Sequence, residues 1–175
     1  MKGFSIHSAA KKDIKKLLFV SQVTFKETFL EDFKRPYSQK DLETYFSIAC
    51  CEKVYLNYLE DSRYQFFILK TDSEETIGYS LLGPCALPHN SVTKNCGELK
   101  KLYIRRSYQG FGQGGKLLDQ SLLWLSQNYA NLWIGVWSEN KRAQVIYNKK
   151  GFEKVGSYIF PVGKTNDYEF ILKKI

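Results

Sequence analysis

The stretch from Gly97 to Phe152 constrains this chain more than any other. It reads strand, glycine turn, helix, strand, helix. An extended run, Glu98-Leu-Lys-Lys-Leu-Tyr-Ile104, leads into Gln109-Gly110-Phe111-Gly112-Gln113-Gly114-Gly115, and a helical run to Gln127 follows. Glycines permit positive φ and leave the main chain bare to an approaching ligand. A turn of this kind at a helix N-terminus gathers free N–H groups at the positive end of the helix dipole, a site for phosphate oxygens.

The other elements follow from periodicity. Met1 to Ile6 opens a first strand, too short in its apolar part for a signal peptide. Ser8 is placed to cap a helix whose inner face is Ile14, Leu17, Leu18, Ser21 and Phe25. Phe25, Phe29 and Phe33 continue that face as an aromatic stripe, the usual mark of core packing, until Lys34-Arg35-Pro36 stops the helix. Ser38 and Asp41 open a second helical stretch, with a break expected near Cys50-Cys51. Residues 64–69 and 76–82 form a hairpin around a polar turn, and 83–96 is loop. After the glycine turn come a helix over 113–128, a central strand over 132–137 and a short helix ended by Gly151. Strands over 152–158 and 167–172 close the chain. No repeat, linker or low-complexity tract interrupts it, so residues 1–175 are expected to form a single α/β domain.

Several classes are disfavoured. No segment approaches ~20 consecutive apolar residues, so no membrane span is expected. The four cysteines (50, 51, 85, 96) form no CxxC pair and there are only two histidines, so no metal is expected. Adjacent Cys50-Cys51 fit reduced thiols in a cytoplasmic protein better than a secreted disulfide framework. The glycine turn is not a P-loop, because no Gly-Lys-Ser/Thr follows it. Gly110, Gly112 and Gly115 match the dinucleotide spacing, but the ribose-binding acid expected ~20 residues on is missing. The net charge of +8 suggests an anionic partner, and nucleic acid, a membrane surface and a polyphosphate cofactor all qualify. A nucleic-acid-binding module fits the charge and aromatic content, yet no ribonucleoprotein or zinc signature is present, so no nucleic-acid partner is expected.

Two linked blocks carry a family resemblance. Leu102-Tyr-Ile-Arg-Arg-Ser-Tyr-Gln-Gly-Phe-Gly-Gln-Gly114 resembles the strand and Q/R-x-x-G-x-G/A pyrophosphate turn of the Gcn5-related N-acetyltransferase (GNAT) superfamily, with Gln109, Gly112 and Gly114 in register. Asn140-Lys-Arg-Ala-Gln-Val-Ile-Tyr147-Asn-Lys-Lys-Gly151-Phe152 resembles the family's N-x-x-A-x-x-x-Y-x-x-x-G-F block. With lower specificity, Thr24-Phe-Lys-Glu-Thr-Phe29, Trp133-Ile-Gly-Val-Trp137 and Gly156-Ser-Tyr-Ile-Phe160 resemble bacterial spermine/spermidine N-acetyltransferases of the Pai type. The resemblance implies an α/β GNAT fold: a mixed, mostly antiparallel sheet of about seven strands with a splayed central pair, flanked by about four helices.

It also implies acetyl-CoA as donor and direct transfer to a primary amine in a ternary complex. The amine must lose a proton, the oxyanion must be stabilised and the thiolate must gain a proton. The N–H groups of Gln109, Gly110, Phe111, Gly112, Gln113, Gly114 and Gly115 would hold the pyrophosphate, with Arg105, Arg106 and Lys116 adding charge. Leu102 and Ile104 would pair their main chain with the pantetheine amides, and an N–H near Leu102 or Tyr103 would serve the oxyanion. Tyr147 is the candidate general acid, against an ordinary half-buried helix tyrosine. Asn140 would bond the cofactor amides, cap its helix, or do both. Lys149 would reach the adenosine phosphates or remain a solvated lysine. Glu98 is the candidate base, against a carboxylate at a strand end.

The expected acceptor is a small-molecule amine, a polyamine such as spermidine or spermine; the alternative is a protein or peptide amine. Glu27, Glu31 and Asp32 share one face of the first helix and would meet a polycation beside the acceptor channel. The net charge of +8 opposes this at long range. The aromatics in 25–46 fit either a channel or a homodimer contact.

Overall fold

The computed structural model describes residues 3–175; Met1 and Lys2, the start of the expected first strand, lie outside the described residues. The strands are β1 (Phe4–Ser8), β2 (Gln65–Thr71), β3 (Thr76–Pro84), β4 (Cys96–Ile104), β5 (Asn131–Trp137), β6 (Phe152–Val162) and β7 (Thr165–Lys174). They form one sheet in the order β1-β2-β3-β4-β5-β7-β6. The helices are α1 (Ile14–Phe25), α2 (Gln39–Ala49), α3 (Glu52–Glu60), α4 (Gln113–Asn128) and α5 (Lys141–Lys149). This is the expected α/β mixed sheet. The second helical stretch is divided where expected, at Cys50 and Cys51, into α2 and α3.

β4 and β5 run parallel, joined by α4, as a parallel pair requires a crossover; the other pairings are antiparallel. The parallel ladder covers only Cys96↔Asn131 to Leu99↔Ile134. Beyond it, β4 stays with β3 and β5 with β7, so the two strands splay. The register of β3 on β4 steps from Leu82↔Leu99 to Leu81↔Lys101, which leaves Lys100 as the extra residue of a bulge where the splay begins. The expected splayed central pair is therefore present.

Both sheet faces are covered. Leu117, Leu118 and Leu125 of α4 pack on Leu69, Ile77, Leu82, Leu99 and Ile134. On the opposite face Leu17 and Val20 of α1 and Tyr55 of α3 pack on Phe66, Ile68, Tyr79 and Leu81. β3 is buried on both sides, which is why its sequence shows a nearly unbroken apolar run.

Two local expectations change. Ser8 belongs to β1, and the helix starts instead after Ala10, whose N–H donates to Asp13 Oδ2 at 3.0 Å. The first helix ends at Lys34, as expected, with Lys34 at positive φ, but past Phe25 it is not α-helical: it relaxes into π-helical turns over Lys26–Asp32. This wider segment carries Thr28, Phe29 and Phe33 to the mouth of the splay. The aromatic stripe is thus only partly core: Phe25 is buried against Tyr37 and Leu42, while Phe29 and Phe33 line cavities.

Candidate active site

Two hollows meet where β4 and β5 part. The larger, a cleft of about 820 Å³, lies between β4, the glycine turn with α4, and α5. The other, about 400 Å³, runs beneath α2 and the π-helical segment to β7. Thr28, Leu102, Tyr103, Asn140 and Tyr147 line both.

The cleft has the features that an extended ligand bearing phosphates requires. Gly110 and Gly112 adopt φ of 88° and 78°, conformations that side chains with a Cβ rarely take. Gly112 occupies the N-cap position of α4 with no side-chain cap, so the first-turn amides of Gln113, Gly114 and Gly115 remain for a ligand. A Cβ added at Gly110, Gly112 or Gly115 would meet nothing within 4 Å, so the space above the turn is open. Past Leu99, the edge of β4 that faces β5 has no strand partner, which leaves main-chain groups near Leu102 and Ile104 for a ligand's amides. Of the residues expected at the cofactor, Leu102, Tyr103, Ile104, Gln109, Gly110, Gly112, Gly114, Gly115 and Asn140 line the cleft.

Other expected residues fall outside it. Phe111 is 67% exposed at the tip of the turn, and the Gln113 side chain bends back toward the Phe111 carbonyl. Lys149 is exposed at the end of α5 and does not border the cleft. The Gln109 side chain braces the turn rather than facing it: its amide donates to Ile104 O at 2.9 Å and its oxygen accepts from the Arg142 guanidinium at 3.0 Å. Arg142, Lys141 and Phe33 line the cleft and were not anticipated. Lys141 and Arg142 directly follow the Asn140 cap of α5, and two cations at that point of the Asn140 block are the signal that could have found them.

The acidic trio of the first helix does keep a common face, but that face meets arginine. Arg105 Nε binds Glu27 at 3.2 Å, and Arg106 binds Glu31 at 2.8 Å and Asp32 at 2.6 Å. None of the three lines the smaller cavity, and Asp32 borders the cleft instead. The expected placement beside an acceptor channel is corrected accordingly: the turn after β4 supplies cations that draw these carboxylates away.

The smaller cavity has its own carboxylates. Glu98 lines it, and its Oε2 accepts from the Ala86 N–H at 2.9 Å and the Lys100 ammonium at 2.7 Å. Asp167 is buried and bound by the Arg35 guanidinium and the Tyr37 hydroxyl. Glu169 accepts from the Tyr158 hydroxyl at 2.5 Å. Burial pushes the Glu169 carboxyl up to about 7; the charges of Asp167 and Glu98 add to this, and the Tyr158 hydrogen bond opposes it. Phe29, Tyr37, Trp137, Tyr158 and Phe160 supply aromatic walls. Sequence reasoning passed over Asp167 and Glu169, although a period of two puts both on the face of β7 shared by buried Ile171. Acidic residues at inward positions are the signal that could have found them.

Tyr147 stands at the junction with Asn140. Burial raises its phenol to about 12, so it holds its proton at neutral pH. Asn140 Oδ1 accepts from Ala143 N–H at 3.1 Å, the N-cap role expected of it, and its amide nitrogen stays available to the junction. Together the two hollows can hold a phosphate-bearing donor and a small cationic acceptor with a protonated phenol between them.

Among the described residues, no group of three or more His, Cys, Asp or Glu is placed to hold a metal ion, and no helix is long and apolar enough to cross a membrane.

Comparison with known proteins agrees with this geometry. Residues 24–152 match the profile of the acetyltransferase (GNAT) family. An uncharacterized N-acetyltransferase of Lactobacillus delbrueckii subsp. lactis is 27% identical, with 99% of this chain and 98% of the relative covered. Among solved structures, PaiA N-acetyltransferase from Thermoplasma acidophilum in complex with coenzyme A matches with a TM-score of 0.75 at 20% identity, covering 98% of each chain. The ribosomal-protein-S18-alanine N-acetyltransferase of Escherichia coli matches with a TM-score of 0.69 at 18% identity, covering 98% of this chain and 93% of that one. The chain belongs to the acetyltransferase (GNAT) family and is an N-acetyltransferase that draws on acetyl-CoA.

Proposed function

We propose that this enzyme acetylates the primary amine of a small alkylamine, with polyamines such as spermidine or spermine as the first acceptor class, in a ternary complex. One observation carries the reading: Tyr147 and Asn140 border both the glycine-turn cleft and the carboxylate-bearing aromatic cavity. A donor in the first and an amine in the second have this junction as their meeting place.

Acetyl-CoA, when bound, supplies an acyl thioester. The amides of residues 109–115 hold its diphosphate, helped by the α4 dipole. The open edge of β4 at Leu102 and Ile104, with Asn140 lining the same cleft, would hold the amide-bearing arm. Tyr147 would hold the phenolic proton that the departing thiolate needs and would regain one from the nitrogen being acylated. Burial disfavours the phenolate, which suits Tyr147 to a relay that carries its hydroxyl proton between turnovers.

Aromatic rings and a carboxylate around one cavity suit an alkylammonium, through cation–π attraction and charge pairing. The net charge of +8 repels polycations at a distance, but that repulsion is screened at physiological salt, whereas the acids of the cavity act in contact. A thiol-release assay with acetyl-CoA over spermidine, spermine, simple diamines, aminoglycosides and lysine peptides tests the reading. Turnover of polyamines or diamines above the peptides is expected. Turnover confined to peptides would move the acceptor to the protein class and reject the alkylamine assignment.

A further inference from the structure

An alkylamine arrives at neutral pH as an ammonium ion, with no lone pair for attack. A proton acceptor must therefore stand in the acceptor cavity. Three carboxylates border it, on two different strands. Glu98 is already held by the Lys100 ammonium and the Ala86 N–H. Asp167 is held by the Arg35 guanidinium and the Tyr37 hydroxyl. Glu169 has a neutral partner, Tyr158, and among the described residues makes no ion pair.

We propose that Glu169 is the base that takes the proton from the acceptor ammonium, and that Tyr158 is its positioning residue. The inference rests on the acceptor cavity assigned above. One ammonium N–H bond breaks, its electron pair stays on nitrogen, and the proton passes to a carboxylate oxygen of Glu169. The nitrogen is left neutral and nucleophilic.

The backbone supplies a reason for this placement. Glu169 lies opposite Trp137 in the β5–β7 ladder, two residues from Gly135, and Gly135 sits just beyond the last parallel pair of β4 and β5. A Cβ on Gly135 would stand 2.8 Å from the Tyr158 hydroxyl and 3.2 Å from Glu169 Oε2. The absence of a side chain there lets the Tyr158–Glu169 pair lie over the strand at the mouth of the splay. The glycine of the Trp133-Ile-Gly-Val-Trp137 run thus has a role that strand geometry alone does not require.

The groups around Glu169 fit a base that works near neutrality. Burial lifts its carboxyl to about 7, and the acids Asp167 on its own strand and Glu98 on β4 add to that rise. Tyr158 of β6 opposes it. Tyr45 of α2, Tyr103 of β4 and Tyr147 of α5 line the same cavity as neutral phenols, and Lys100 and Lys101 of β4 are its cations. A base with such a value is about half ionised near pH 7, which favours proton transfer there.

The test uses the full chain with acetyl-CoA and whichever amine of the panel turns over best. Glu169→Gln is expected to lower kcat/KM about 100-fold or more, to remove a pH-rate inflection near 7, and to leave coenzyme A affinity unchanged by calorimetry. Tyr158→Phe removes the bond that holds the carboxyl down, so the inflection should move to higher pH while the fold is retained. Carboxyl NMR of the wild type, assigned with Glu169→Gln, should show the Glu169 inflection shifting to lower pH when that same acceptor amine is added. The proposal is overturned if Glu169→Gln stays within threefold of wild type, if the inflection persists in it or follows Glu98→Gln instead, or if the best-turned-over acceptor leaves the carboxyl signal unmoved. Failure of the acceptor reading looks different: wild type turns over peptides alone, and the loss in Glu169→Gln on those peptides still decides whether Glu169 is the base.

Discussion

Gln109 and Arg142 are joined beside the larger cleft: the Arg142 guanidinium donates to Gln109 Oε1 at 3.0 Å while the Gln109 amide donates to Ile104 O at 2.9 Å. The glycine turn is thereby tied at once to the end of β4 and to α5. Its glycines make it pliable, and this double tie holds its amides toward the cleft. A hydrogen bond to a charged group contributes about 1.5–3 kcal/mol. Arg142→Ala should therefore weaken coenzyme A binding about tenfold or more, read by calorimetry; an unchanged Kd would show that the turn holds its shape unaided.

Two glycines of the turn should respond differently. Gly112 has φ of 78°, so Gly112→Ala should destabilise the fold by about 1–2 kcal/mol and weaken cofactor binding together. Gly115 has no neighbour for an added Cβ within 4 Å and lies in the first turn of α4. Gly115→Leu should leave the melting temperature level or raise it, since leucine is the better helix former. It should still lower coenzyme A affinity more than tenfold by occupying the ligand's space. Equal affinity in Gly115→Leu would place the diphosphate elsewhere.

Tyr147→Phe keeps the ring packed against Phe152 and removes only the hydroxyl. A fall in kcat of about 10²–10⁴-fold is expected, with the coenzyme A Kd within twofold of wild type. A drop in affinity of the same size as the drop in rate would assign the hydroxyl to binding instead of proton transfer.

Glu169 should also mark the pH dependence of stability. Its carboxyl is raised in the folded state to about 7, above its ordinary value, so the folded protein binds this proton more tightly than the unfolded chain. The resulting stabilisation is fully present below the unfolded value and is lost as pH climbs through 7. At about 1.4 kcal/mol per pK unit, up to about 3 kcal/mol separates the two limits. Glu169→Gln should thus melt higher than wild type at pH 8 and nearly equal to it at pH 5. A variant that is less stable at pH 8 would contradict the cost assigned to the buried charge.

The elements around the glycine turn were legible because each announces itself locally. The turn's glycines, the 3.6 period of Leu117, Leu118 and Leu125, and the capping asparagine at 140 are all read within a few residues. The π-helical relaxation after Phe25 was not legible: its residues keep a helical pattern, and hydrogen bonds such as Phe33 N–H to Thr28 O decide the wider turn. The acidic trio failed for a similar reason. Helical spacing correctly gave Glu27, Glu31 and Asp32 a shared face, but could not say that Arg105 and Arg106, more than 70 positions away, would meet it.

By itself, the sequence determined the order of strands and helices, the glycine turn at the start of α4 and the capped helix that carries Tyr147, because these depend on short-range periodicity, glycine chirality and helix capping. Only the tertiary structure decided which acids line the smaller cavity. Glu98 and Glu169 come from strands separated by β5, and their surroundings depend on where β4 and β5 part, on the Lys100 bulge and on the room left by Gly135. A carboxylate's partner and its burial are properties of the assembled sheet, since ladder pairing joins residues that local pattern never relates.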